Sequence, residues 1–235
     1  MKAVAVITAR GGSKRIPRKN IKLFLDKPII AYSIEAALAS GVFETVMVST
    51  DDKEIAEIAK EYGAEVPFFR SADNAGDFAT TADVILEVLE QYKQNGEEFD
   101  EVCCIYPTAP FVSAGKLKKA QEMLEENKAD AVQPVVRFGF PPQRSVIIED
   151  GFAKFKWPEY MLSRSQDLEP FYHDAGQFYF LNVGSFLEQK RLVMQKTIAF
   201  EMPEMEVQDI DTEEDWAIAE VKYRVQKQKE EGSLS

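Results

Sequence analysis

The densest set of residues able to do chemistry lies near the start of the chain. Ile7-Thr8-Ala9-Arg10-Gly11-Gly12-Ser13-Lys14 runs on into Arg15-Ile16-Pro17-Arg18-Lys19-Asn20-Ile21. Two adjacent glycines let a backbone approach phosphate closely and turn amide groups toward it. Arg10, Lys14 and Lys19 add cations around Ser13. The spacing is neither GxxxxGK[ST] nor GxGxxG, so neither familiar nucleotide loop describes it. A merely solvated basic turn is the plainer reading, and the buried-type strand feeding the glycines weighs against it.

The second candidate is Asp209-Ile210-Asp211. In an extended segment, residues two apart face one way, which would bring both carboxylates together and turn Ile210 to the core. Two hard oxygen ligands suit one Mg²⁺, which keeps waters and takes phosphate oxygens besides. The competing reading is a helix start, with Asp211 or Thr212 capping a helix from Glu213. Arg164, Gln166 and Asp167 form a third group. Arg164 could fork onto a carboxylate of a ligand, or serve an interface salt bridge. His173, the one histidine, suits a general base, a ligand contact or simple packing. No GxSxG elbow and no HExxH occurs, so hydrolase readings fail.

The elements that must position these residues follow from periodicity. Ala3–Thr8 is a continuous apolar run, as in a strand buried on both faces. Strands are also expected at Thr45–Ser49, Glu65–Phe69, Glu101–Tyr106, Ala131–Val136 and Gln177–Leu181. Helices are expected at Pro28–Ala39, Asp52–Tyr62, Thr80–Gln94, Ser113–Asn127 and from Thr212 to about Lys229, with fraying beyond. This alternation predicts a mostly parallel sheet covered on both faces, with right-handed crossovers. It breaks at Arg137. Residues 137–175 hold eight aromatics, and Pro141, Pro142 and Pro158 discourage helix there. Such an insertion is expected to form a lid on the main core or a dimer contact. Tyr106 ends an apolar strand and should point into the ligand pocket. Cys103 and Cys104 should be inert core.

Composition narrows the class. A chain of 235 residues with 45% apolar content builds a core and is expected to form one domain, 1–235. No apolar run spans a membrane, and no signal peptide is read at the N-terminus. The net charge of −12 excludes a nucleic-acid binder that works by a broad basic face. Its distribution says more: residues 1–27 are +7 and the remaining 208 are −19, with eight acids and no Lys or Arg in 201–215. These are either two solvated faces or an anion site and a cation site, as a nucleoside triphosphate with Mg²⁺ requires. Two adjacent cysteines fit neither a metal knuckle nor an ordinary disulfide, so a reduced, cytoplasmic setting is expected.

Together the motifs resemble those of the cytidylyltransferases that activate keto sugar acids, the acylneuraminate cytidylyltransferases nearest. The ARGGSK…KN loop is similar to the family's N-terminal motif. Val48–Asp52 resembles its second strand end, and Arg70 with Asp77–Asp83 its nucleotide-side loop. Tyr106-Pro107-Thr108-Ala109-Pro110 resembles its QPTSP-type loop, Arg164–Asp167 its R-x-Q-D element and Asp209–Asp211 its D-x-D. Sialate-activating members carry Gln at Tyr106, and N-G-A-I-Y where this chain reads Asp174-Ala175-Gly176-Gln177-Phe178-Tyr179. With Phe171-Tyr172-His173, these departures resemble the branch that activates pseudaminic acid.

The resemblance implies an α/β, three-layer, Rossmann-like nucleotide-diphospho-sugar transferase fold carrying the aromatic-rich insertion. It implies CTP and a nine-carbon keto sugar acid as substrates, Mg²⁺ as cofactor and a homodimer. Arg10, Gly11, Gly12, Ser13, Lys14 and Lys19 would hold the triphosphate and Asn20 the cytidine side, with Arg70, Thr80 and Thr81 completing the nucleotide pocket. Arg10, Lys14 and Asp211 would carry catalysis, and Asp209 with Asp211 the metal. Tyr106, Arg164, Gln166, His173 and Gln177 would face the sugar. Acylneuraminate, legionaminate and octulosonate are alternative acids. A non-catalytic nucleotide-binding module is the alternative of another class, and the second carboxylate at Asp209/Asp211 weighs against it.

Overall fold

A strand that is apolar on both faces needs cover on both, and the chain supplies it from elements close in sequence. The computed structural model describes residues 1–76 and 78–232, without the side chains at 230 and 231. β1 (Ala3–Thr8) is buried nearly throughout. β2 (Leu23–Phe24) and β3 (Lys27–Pro28) form a small antiparallel pair after the basic loop. α1 (Ile29–Ser40) ends where Gly41 takes a left-handed φ of 66°, a conformation that favours glycine. Then come β4 (Thr45–Ser49), α2 (Lys53–Glu61), α3 (Ala72–Ala75), α4 (Thr81–Gln94), β5 (Glu101–Ile105), α5 (Ala114–Glu126) and β6 (Ala131–Arg137). The second half holds β7 (Val146–Glu149), β8 (Phe152–Phe155), β9 (Tyr172–Asp174), β10 (Phe178–Asn182), α6 (Val183–Gln189), β11 (Thr197–Glu201) and α7 (Glu213–Gly232).

The main sheet has seven strands in the order β11-β6-β10-β5-β1-β4, with β9 added on β6. β1 pairs parallel with β4 and β5, and β11 pairs parallel with β6. β10 runs antiparallel between β5 and β6. The expected three-layer, mostly parallel α/β architecture is therefore present, with β10 the reversed member. That reversal sets Phe178 opposite Ile105. The residues just before β10 thus arrive at the same end of the sheet as the loops leaving β1 and β5.

The period of two in β10 feeds two cores at once. Phe178 and Phe180 pack with Ile30, Ile34 and Leu117 on one face. Tyr179 and Leu181 pack with Ile85, Val88 and Phe186 on the other. A third cluster joins distant parts of the chain: Ile16, Phe24, Tyr32, Phe111, Ile210 and Trp216 bury one another. Cys103 and Cys104 are buried free thiols on opposite faces of β5, and burial pushes the Cys104 thiol up to about 12. Among the described residues no helix is long and apolar enough to cross a membrane.

Three expectations need correction. Glu65–Phe69 is not a strand. Glu65 bonds to Val46 and Val48 as an isolated bridge, and Pro67 then lacks the N–H that would continue the ladder. β11 and α6 arise in a stretch for which no element was expected. The insertion 137–175 does not close over the main core. It holds the β7–β8 hairpin and short turns, and six of its eight aromatics are exposed rather than packed on the main core. Its last strand, β9, does return to pair with β6. The expected fraying falls on residues 233–235, outside the described residues, and α7 continues to Gly232.

Candidate active site

The basic loop leaves the carboxyl end of β1, where open parallel sheets gather ligands. Six cations between Arg10 and Lys22 repel one another, so the loop must be held by acids from elsewhere. Asp51 and Asp52 follow β4, the partner of β1. Gly11 donates its N–H to Asp51 Oδ1 at 2.8 Å. A Cβ on Gly11 would stand 2.8 Å from Asp52 Oδ2, so the loop passes where only glycine fits. Asp52 caps α2 by accepting from the Ile55 N–H at 3.0 Å. It also receives the Arg18 fork, Nη1 at 2.5 Å and Nη2 at 3.0 Å. The Arg18 hydrogen bond holds the Asp52 carboxyl down at about 2, against burial, which pushes it up. Arg18 itself has φ 57°, a conformation costing a non-glycine residue about 1–2 kcal/mol; the fork offsets that strain.

The loop so held builds a cavity of about 440 Å³ whose walls include Arg10, Ser13, Lys14, Lys19, Asn20 and Tyr106. Asn20 is buried and donates to the Arg10 carbonyl at 2.9 Å, which shapes the loop from inside. Arg10 reaches across to the Gly76 carbonyl at 3.3 Å. Lys19 donates to the Ile210 carbonyl at 2.6 Å and lies 3.5 Å from Asp211 Oδ1. Arg15 stands 2.7 Å from the same oxygen, and Lys22 pairs with Glu213 at 2.5 Å. The basic and acidic poles of the sequence therefore meet.

A second cavity, about 470 Å³, is lined by Arg137, Phe138, His173, Asp209, Asp211 and Lys222, among others. Asp209 and Asp211 both face it while Ile210, 1% exposed, is in the core, as residues two apart in an extended segment should be. The start of α7 does not need Asp211. Thr212 accepts from the Asp215 N–H at 3.2 Å, and Asp215 Oδ2 accepts from the Thr212 N–H at 2.8 Å. That capping box bears out the helix-start reading for Thr212 and leaves Asp211 without a capping role. Asp211 thus lies between the two cavities, facing one and paired with the cations of the other.

The remaining candidates divide. Thr81 Oγ1 is 3.5 Å from the Tyr106 hydroxyl. Thr80 instead closes the α4 capping box with Asp83. Arg70 is buried against Ser49, with Nη2 donating to its carbonyl at 2.7 Å, and burial pulls its pKa down. It braces the end of β4 rather than opening on the first cavity. Gly12 has open space around it, whereas the Gly11 amide expected to face phosphate is engaged by Asp51. His173 packs at a tilt against Phe138, ring centroids 4.7 Å and planes 56° apart. Gln177 is buried, donates to the Glu206 carbonyl at 2.6 Å and opens on neither cavity. Arg164, on the exposed arm, pairs with Asp167 at 2.8 Å. Gln166 lines a further hollow with Arg137 and Glu204. Asp77, in the quoted nucleotide-side loop, lies outside the described residues. Sequence reasoning assigned no role to Arg15, Asp51, Asp52, Asp174 or Tyr179. Only the tight packing of charges in 10–22 hinted that acids must answer it.

The sequence pattern of one family, described as Cytidylyltransferase, matches residues 4–201. This chain belongs to the cytidylyltransferase family. It is 41% identical over 226 residues to the pseudaminic acid cytidylyltransferase of Campylobacter jejuni, covering 96% of this chain and 97% of that one. It is 35% identical to the CMP-N,N'-diacetyllegionaminic acid synthase of Legionella pneumophila, covering 94% and 95%. In fold it is similar to a CMP:2-keto-3-deoxy-manno-octonic acid synthetase solved with CTP, with a TM-score of 0.69 at 17% identity, covering 97% and 100%.

A cytidylyltransferase handles a triphosphate, so the fit of a hard cation matters. Burial, and then Asp211 alongside, push the Asp209 carboxyl up. A half-buried pair of like charges is an environment that a divalent cation relieves. Among the described residues no group of three or more His, Cys, Asp or Glu could hold a metal, so this pair would leave positions to phosphate oxygens and water.

Two outcomes follow for the loop. Gly11→Ala must push Asp52 aside, at about 1–3 kcal/mol, and should lower Tm by several degrees; Gly12→Ala should leave Tm in place. Equal melting temperatures for the two variants would remove the steric role of Gly11. Because the folded Asp52 carboxyl lies below its unfolded value of about 3.9, its contribution is present above pH 4 and lost as pH falls toward 2. Urea unfolding of Asp52→Asn should therefore show a smaller loss of stability between pH 4 and pH 2 than the parent.

Proposed function

We propose that this cytidylyltransferase transfers CMP from CTP to the anomeric hydroxyl of pseudaminic acid, releasing pyrophosphate. The observation that carries the reading is the position of Asp211. It pairs with Arg15 and Lys19 beside the first cavity and stands next to Asp209 in the second. A triphosphate among the loop cations and a sugar acid beside Arg137 and His173 would meet across that carboxylate. The choice of acid rests on Tyr106, on the His173–Tyr179 stretch and on the full-length likeness to a pseudaminate enzyme.

In the reaction the anomeric oxygen attacks the α-phosphorus and loses its proton. The bond from that phosphorus to the bridging oxygen breaks, and pyrophosphate leaves with the electron pair. No covalent protein intermediate is required, so positioning and charge neutralisation dominate. Arg10 and Lys14 would neutralise the growing charge on pyrophosphate. Asn20 would keep the loop in shape, and Arg137 would offer the sugar carboxylate a forked partner. Asp209 and Asp211 would hold Mg²⁺, which when bound neutralises phosphate charge and lowers the pKa of the attacking hydroxyl.

We further read the protein as a homodimer built through residues 137–175. An isolated two-stranded hairpin is marginal in water, and this one exposes Ile148 and Phe152 at 78% and 71%. Arg164 and Gln166 ride on that arm, and a second copy covering it would bring them toward a neighbouring site. The buried free thiols fit work in the cytoplasm.

The deciding experiment mixes protein, CTP and Mg²⁺ separately with pseudaminate, N-acetylneuraminate, legionaminate and octulosonate. Pyrophosphate release and a CMP adduct are expected with pseudaminate alone; an adduct only with another acid overturns the choice of sugar. Asp211→Ala should abolish release while only weakening CTP binding, and full activity at limiting Mg²⁺ would remove Asp211 from the metal. Light scattering at micromolar concentration should report a dimer, and a monomer would overturn the arm's role.

A further inference from the structure

One cation of the second cavity has no role so far. Lys222 stands seven residues after Asp215, two turns along α7, so both side chains reach that cavity. Its ammonium donates to the Val207 carbonyl at 2.7 Å and to the Glu204 carbonyl at 3.2 Å. Val207 and Glu204 line the same cavity, so the ammonium is held at its wall. An ammonium carries three N–H groups, and these two bonds leave one to give.

Among the described residues no carboxylate pairs with that charge. The Glu204 carboxylate lies instead beside Gly139, where an added Cβ would meet its Oε1 at 3.3 Å. Lys116 on α5 shows the ordinary arrangement. It too donates to a carbonyl, that of Phe111 at 2.7 Å, but it also pairs with Glu206 at 2.5 Å. Lys222 is half-buried without such a partner. Burial pulls its pKa down, and the charge of Glu204 offsets only part of that. Charges taken out of water are ordinarily paired, so the ligand that completes Lys222 is an anion.

The rest of the wall says where an anion can sit. Glu204, Asp209, Asp211 and Asp215 line the cavity and repel one. Arg137 and Lys222 are the cations that face it, and Arg137 likewise forms no ion pair among the described residues. In a keto sugar acid the carboxylate and the anomeric hydroxyl are borne by one carbon, so a grip on the first also orients the second. We propose that Lys222 is a substrate-binding residue that, together with Arg137, takes the carboxylate of the keto sugar acid. This rests on the reading of the second cavity as the place of that acid.

The wild type is first assayed on the four acids above, and the variants are measured with whichever acid it couples, since all four bear the carboxylate. Lys222→Met keeps the length of the side chain and removes the charge. It should raise KM for the acid at least about tenfold, as for loss of a hydrogen bond between charged groups, with KM for CTP unchanged. The C1 carboxamide of the same acid, measured as a competitor, separates binding from bracing. The wild type should prefer the acid to the amide, and Lys222→Met should cut that preference about tenfold, because the charge that distinguishes the two is gone. Lys222→Gln keeps an N–H for a wall carbonyl and should cut it likewise, which keeps the test sound if Lys222→Met folds poorly.

An unchanged preference for acid over amide in a folded variant would overturn the proposal. So would a shift confined to KM for CTP or a loss in kcat alone, as expected if Lys222 only braced the segment that carries Asp209. A folded wild type that couples none of the four acids would overturn the functional reading, and this inference with it.

Discussion

The clasp of Asp51 and Asp52 on the basic loop is the constraint from which the site follows. A loop bearing six cations cannot hold one shape by itself. The register of β1 on β4 brings the answer, since Ala9 donates to the Ser49 carbonyl and the two strand ends leave the sheet side by side. Asp52 then does three things with one carboxylate: it caps α2, takes Arg18, and packs against the backbone of Gly11. The left-handed Arg18 and the bare Gly11 are local choices that make sense only in that contact.

The second organising fact is that the two charged poles of the chain meet. Arg15, Lys19 and Lys22 reach Asp211 and Glu213, nearly two hundred residues away in sequence. Partly exposed pairs of this kind add little stability. Beneath them Ile16, Phe24, Ile210 and Trp216 bury one another, and that apolar contact carries the energy. The ion pairs instead set where Asp211 stands between the two cavities.

Much of the sheet was legible because burial on both faces leaves continuous apolar runs. β1, β4, β5 and β6 and the long helices fall within a residue or two of expectation. Glu65–Phe69 misled because its composition suits a strand while Pro67 interrupts the ladder. α6 and β11 are short and partly exposed, so their patterns are weak. The site was legible where motif and spacing coincide, as at Arg10–Lys14 and Asp209–Asp211. It was not legible at Arg70, Thr80 and Gln177, where the same polar side chains brace a strand end, cap a helix and hold a buried carbonyl.

By itself the sequence determined the class of fold, the loop chemistry after β1, the paired carboxylates flanking a buried Ile210, and an aromatic segment that cannot bury itself within one chain. Periodicity, spacing and composition are local properties, and these conclusions need nothing else. Only the tertiary structure decided that β10 runs backward, which carries His173–Gln177 to the ligand end of the sheet. It alone decided that Asp51 and Asp52 hold the loop, and that Asp174 accepts the hydroxyl of Tyr179, whose ring lies edge-on to Tyr106. Each of these depends on which strands lie side by side. That is set by burying two apolar faces at once, a requirement of the whole chain that no single segment records.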